Sequence, residues 1–249
     1  MLGSLAGVTL VAWTYLFVAA AGMSSAGDGG IASPGMDGMG ALGEWAVSDF
    51  GLMLLMWAVM MVGMMVPTAA PTALIYASVA RKAANQGSAM VPTAAFVAGY
   101  VVIWCAFSVL ATLLQWQLSR VALLSPMMVL YSANLGAGLL IIAGFYQMTP
   151  LKQACLRHCR SPVHFIANHW RSGTGGAARM GSEHGIFCLG CCWILMLLLF
   201  VGGVMNLLWI AVITAFVLIE KLTLRGEAAG RVAGVAMIAA GTLLLFWRG

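Results

Sequence analysis

Charge is what this sequence has least of. Of 249 residues, 8% are charged, with 7 acidic and 12 basic side chains, where a soluble domain carries about 25%. Several stretches without any charge are long enough for the roughly 20 helical residues that a bilayer core demands. Strand-like alternation is also missing, which excludes a membrane barrel and leaves helices to satisfy the backbone in lipid. No Gly-rich phosphate loop, nucleophile elbow or HExxH occurs, so a catalytic role has little to stand on. The net charge of +5 comes without base-stacking motifs or basic helical stripes, so no nucleic-acid partner is expected.

What is present is apolar surface: 62% of the residues are hydrophobic, and the mean hydropathy is +0.99. The expected fold is all-α, one polytopic helical bundle over 1–249. Seven spans are expected, near 4–22, 47–76, 91–118, 127–148, 186–202, 206–220 and 232–247. The first run has no Lys or Arg before it, so it reads as a retained span rather than a cleaved signal. Residues 23–46 form a Gly/Ser-rich loop. Pro67 and Pro71 should kink the second span, and Gly202, Gly203 and Asn206 offer a tight turn. Trp13, Trp45, Trp116, Trp209 and Trp247 suit the interfacial belts. Segments 81–90, 149–185 and 220–231 hold two, five and three basic residues, whereas 23–46, 119–126 and 203–205 hold none, one and none. Positive loops stay inside, so the N-terminus is expected to be cytoplasmic, with the lipid bilayer as the first partner. Glu220 and Lys221 read as an interfacial helix end. The two halves show no repeat, so the inverted-repeat signature of many transporters is absent.

Of the six cysteines, Cys105 falls mid-span and reads as packing. The other five form two groups. Cys155 and Cys159, in "LKQACLRHCRSP", are four apart, and Cys188, Cys191 and Cys192, in "CLGCC", are three and four apart; each spacing shares a helix face. Both groups flank one basic segment on the expected cytoplasmic side, where stable disulfides are disfavoured. Packing, a redox couple and a metal centre all remain open for such thiols, and the pairing favours metal. Thiolate is the soft ligand that selects Cu(I), Zn(II) or an iron–sulfur cluster, and Arg157 and Arg160 are expected to lower the thiol pKa. His158, His164, His169 and His184 crowd the same segment as supplementary ligands. Haem, which needs axial ligands inside the bundle, does not fit four loop histidines.

The runs "YQMTPLKQACLRHCRSP" and "GIFCLGCCWILMLLLFVGGVMNLLWI", with the upstream "MWAVMMVGMMVP", resemble a bacterial family described as predicted metal-binding integral membrane proteins. The resemblance covers roughly 45–222 and implies metal binding through Cys155, Cys159, Cys188, Cys191 and Cys192.

The second span adds a methionine stripe. Met53, Met56, Met60 and Met64 share one helical face, and Met60/Met64 and Met61/Met65 each stack thioethers a turn apart. Apolar packing accounts for such residues in general. As ligands, neutral thioethers favour Cu(I) over Zn(II); with Met36 and Met39 of "GMDGMG" they outline a path toward the thiols. The 18 methionines make copper(I) the first choice of metal and zinc the second. The expected work is copper handling, as transport or delivery to a membrane cuproenzyme. A thiol–disulfide oxidoreductase and an accessory subunit of a larger membrane complex with a structural metal are the alternatives.

Overall fold

The computed structural model describes residues 2–27, 45–86, 92–125, 128–223 and 225–248. Met36, Met39 and most of the Gly/Ser-rich loop lie outside them. Among the described residues there are ten helices and no strand. They are α1 (Leu2–Gly27), α2 (Val47–Asn85), α3 (Thr93–Arg120), α4 (Ala133–Met148), α5 (Pro150–Arg160), α6 (Pro162–His169), α7 (Gly173–Leu197), α8 (Leu199–Gly202), α9 (Leu207–Leu222) and α10 (Gly226–Arg248). Five segments are long and apolar enough to cross a membrane: Leu2–Gly22, Val47–Asn85, Thr93–Arg120, Gly173–Gly202 and Gly226–Trp247. α4 and α9 have 16 residues each, short of the usual bilayer thickness.

α2 continues for 39 residues across both prolines without a break, further than the expected end at 76. A proline leaves the carbonyl four residues earlier without its helical partner. For Pro67 that carbonyl is Gly63, and Trp13 of α1 donates its indole N–H to it at 3.2 Å. α3 and α7 touch backbone to backbone. A Cβ at Gly99 would strike the Ala178 carbonyl, and one at Gly181 the Phe96 carbonyl, the close approach that small residues allow between membrane helices. α4 and α10 use the same device: a Cβ at Gly241 would come within 2.7 Å of the Ala137 carbonyl. Before α4, where the fourth span was expected to begin near 127, Leu124 and Leu130 form an isolated antiparallel bridge; the helix starts only after Ser132, whose hydroxyl accepts from Leu135 N at 3.4 Å.

The expected loop over 149–185 is helical. Pro150 and Pro162 each occupy a first turn, where the missing N–H costs nothing, and the Thr149 hydroxyl caps α5 from Lys152 N at 3.3 Å. Gly173 then opens α7, 13 residues before the expected span start at 186. The turn at Gly203 stands as expected: its φ is +97°, a conformation glycine enters freely. Asn206 caps α9 by accepting from Trp209 N at 3.2 Å. Cys105 is exposed on α3 rather than packed in the interior.

Candidate metal centre

The thiol helices meet because each carries a buried stripe at helical spacing. On α5 the stripe is Lys152, Leu156 and Cys159. On α7 it includes His184, Cys188, Cys191, Cys192 and Leu195. Cys155 Sγ lies over Gly190, 2.8 Å from where a Cβ would stand, so a side chain at 190 would push α5 off α7. Tyr146 of α4 donates its hydroxyl to the Gly190 carbonyl and ties a third helix to the same turn.

Cys188 is the hub. The Cys159 thiol lies against the Cys188 and Cys191 sulfurs, and Cys192 adjoins the same pair. Tyr100 of α3 brings its hydroxyl to 3.0 Å from Cys188 Sγ and donates to the Met65 carbonyl at 3.0 Å. Lys221 of α9 donates to Cys188 Sγ at 2.8 Å and to the Thr68 hydroxyl of α2 at 3.1 Å. α3, α5 and α9 therefore reach one sulfur on α7, and α2 joins them through Lys221 and Tyr100. An ammonium group has only donors, so the sulfur accepts from it.

Glu220 and Lys221, expected at an interface, are both buried, with 2% and 7% of their surface exposed. Adjacent on α9, they face different partners. Glu220 pairs with buried Lys152 of α5 at 2.5 Å, and the Lys152 ammonium also stands 5.9 Å from the centre of the Phe216 ring. That pair is neutral. Among the described residues Lys221 has no carboxylate partner, and its ammonium is set against the Cys188 sulfur instead. The cation at the thiols is thus not an arginine: the Arg160 guanidinium donates to the Thr223 carbonyl at 2.6 Å. Contact with the Cys188 and Cys191 sulfurs pushes the Cys159 thiol well above its usual pKa, and burial pushes Cys155 up. Both run opposite to the lowering expected from Arg157 and Arg160.

The sulfurs are neighbours without being arrayed around one point. Cys191 and Cys192 each donate to the Cys188 carbonyl at 3.0 Å. Among the described residues no three Cys, His, Asp or Glu side chains are set to hold a metal ion together. His158 is not among the thiols: its ring stacks on Phe187 at 4.2 Å, and Nδ1 is 2.9 Å from the Ala154 carbonyl. His184 was expected in a loop, yet it sits inside α7, one turn before Cys188 and buried. Among the described residues its Nδ1 has no hydrogen-bond partner.

The methionine stripe is interior. Met53, Met56, Met60, Met61, Met64 and Met65 are all buried, with at most 5% exposed, and they share one apolar cluster with Cys159, Cys188, Cys191 and Cys192. At the start of α2 the Gln115 amide of α3 donates to Met53 Sδ and Met128 Sδ at 3.3 Å each and accepts from Trp57 Nε1 at 2.6 Å. Toward the other end, Met65 and Thr68 reach Tyr100 and Lys221.

Sequence reasoning passed over Lys221, Thr68 and Tyr100. A signal existed for the first: a Glu–Lys pair closing a helix of 16 residues is drawn inward with it when that helix is too short to reach both interfaces.

A family model described as PpoB2, copper chaperone, matches residues 54–244. No curated protein and no solved structure matches the chain.

Proposed function

Because the chain belongs to this copper chaperone family, whose model takes in α3 to α9 and most of α2 and α10, we propose that it binds copper as Cu(I) at the membrane and hands it to a cuproenzyme there. One observation carries the reading. Cys188 Sγ, held by the Lys221 ammonium at 2.8 Å, stands among the sulfurs of Cys159, Cys191 and Cys192, next to a helix whose buried face is thioether. Soft sulfur donors select Cu(I). Thioethers bind it weakly enough to pass it on, and thiolates hold it.

In this reading Cys159 and Cys188 are the main ligands. Cys191 and Cys192 join by leaving the Cys188 carbonyl, and Cys155 lies at the edge beside Gly190. Met60 and Met64 belong to the route rather than the terminus, and His158 supports Phe187. Zinc is the competing ion, since thiolates take it as well. The chain crosses a bacterial inner membrane seven times, with α4 and α9 as short crossings and the N-terminus in the cytoplasm. The basic residues around α5, α6 and the α9–α10 turn support that orientation.

The test is Cu(I) binding by the purified, fully reduced protein in detergent, in competition with a chromogenic Cu(I) chelator. Wild type is expected to take the ion with a near-ultraviolet thiolate-to-copper band. Cys159→Ser and Cys188→Ser should each lose both the band and the competition. Reduced wild type that leaves all copper with the chelator overturns the reading.

A further inference from the structure

We infer that Lys221 is the counter-ion of a Cys159–Cys188 dithiolate site and that its fixed charge selects monovalent over divalent soft metal ions. The inference rests on the copper reading above and adds what makes the site discriminate.

The argument is one of buried charge. Lys152 and Glu220, 2.5 Å apart, cancel. Lys221 remains, 7% exposed, with the Cys188 sulfur at 2.8 Å and the Thr68 hydroxyl at 3.1 Å. The Tyr100 hydroxyl also reaches the same sulfur but is spent on the Met65 carbonyl. A buried charge without a partner is costly, so this cation demands an anion, and Cys188 is the neighbour that supplies one. Cys159 lies against Cys188 and, unlike Cys191 and Cys192, is not tied to the Cys188 carbonyl; it is the thiol best placed to become the second ligand.

The charges then sum simply. Two thiolates, a monovalent ion and the ammonium of Lys221 total zero. A divalent ion in the same place leaves a buried positive charge. A third thiolate would cancel it, but Cys191 or Cys192 must first give up its bond to the Cys188 carbonyl. Without the charge on residue 221 the order reverses: the monovalent complex becomes anionic and the divalent one neutral. Lys221 is a specificity-determining residue that never has to touch the metal.

The experiment uses full-length reduced protein in detergent and two redox-inert probes, Ag(I) and Zn(II), each titrated against a chelator. Lys221→Gln keeps a donor to the sulfur and removes the charge; Lys221→Met removes both, and Lys221→Arg keeps the charge. Both neutral variants are expected to lose at least about ten-fold in Ag(I) affinity while Zn(II) affinity holds or rises. Lys221→Arg should hold both within about three-fold. The ratio is read within each sample, so partial unfolding, which lowers both ions together, does not imitate the result. An unchanged Ag(I)-to-Zn(II) ratio in Lys221→Gln overturns the inference alone, as does Lys221→Arg behaving like Lys221→Gln. Wild type that binds neither ion overturns the copper reading and this inference together.

Discussion

α2 borders two sulfur-rich regions that hold sulfur by opposite means. Near its start, Met53 and Met128 are held by the neutral amide of Gln115, itself fixed by Trp57. Between its prolines, Thr68 shares the Lys221 ammonium with Cys188. A thioether has no charge to compensate, so an amide is enough and a metal ion can leave again. A buried thiolate needs a cation, and the fold supplies one at a depth where an unpartnered charge is costly. In the proposed reading, a soft ion moving from the first region to the second would go from weak neutral donors to a strong anionic pair, and the change of counter-charge would set the direction of transfer.

The hardest way to break that contrast is to disturb the charge balance beside Lys221. Glu220→Gln leaves Lys152 buried without its anion and should cost about 3–5 kcal/mol, read as a loss of thermal stability in detergent. The double variant Lys152→Met/Glu220→Gln should recover much of that loss, because no lone cation remains. If Glu220→Gln instead melts like wild type, Glu220 is not holding Lys152, and Lys221 can no longer be treated as the one uncancelled charge among the described buried residues.

A smaller disturbance reaches the thiolate region through the backbone. Gly181→Ala places a Cβ on the Phe96 carbonyl and should cost about 1–3 kcal/mol by overpacking. It forces α7, which carries Cys188, away from α3, which carries Tyr100. Cu(I) affinity should therefore fall along with melting temperature, whereas the Trp57–Gln115 contact lies elsewhere on α3. Trp fluorescence that shifts as much as the copper affinity falls would show that the two regions do not respond separately.

Gln115→Leu is the converse. It strands the Trp57 indole N–H and frees two thioethers, for about 1–3 kcal/mol. Equilibrium Cu(I) affinity should remain at the wild-type value, since the thiols are untouched. An affinity that drops with Gln115 would put a tight ligand in the thioether region.

How much of this was legible in the sequence follows from which interactions are periodic. The methionine run and the break at Gly203 show as local pattern, and both are present in the structure, with the methionines of α2 buried and Gly203 at a positive φ; the cysteines of "CLGCC" lie well inside α7 rather than at the start of a span. The polar segment 149–185 read as a loop because its charges hid two proline-initiated helices; its buried residues, Lys152, Leu156 and Cys159, mix polar with apolar and give no hydrophobic signal. Lys221 was read as an interfacial residue because helix-end lysines usually are. Nothing local says that Thr68, 153 positions earlier, and Cys188 wait for it. Long-range pairing of single polar residues is what the pattern cannot carry, and it is what assembles the candidate site.

The mildest substitution bears most directly on the route. Met60 and Met64 are fully buried, and leucine matches methionine closely in volume, so Met60→Leu/Met64→Leu should change stability by less than about 1.5 kcal/mol per site. The fold and the thiols stay as they are, so equilibrium Cu(I) affinity should match wild type. What leucine lacks is the sulfur lone pair. If the thioether face is the path, the rate at which the reduced protein in proteoliposomes strips Cu(I) from a chelator added outside should fall several-fold, with the same final occupancy. A slowed rate at constant occupancy separates a path from a store. Equal rates would mean that the methionines only fill space between α1, α2 and α3, and that copper reaches Cys188 from the α5–α7 side.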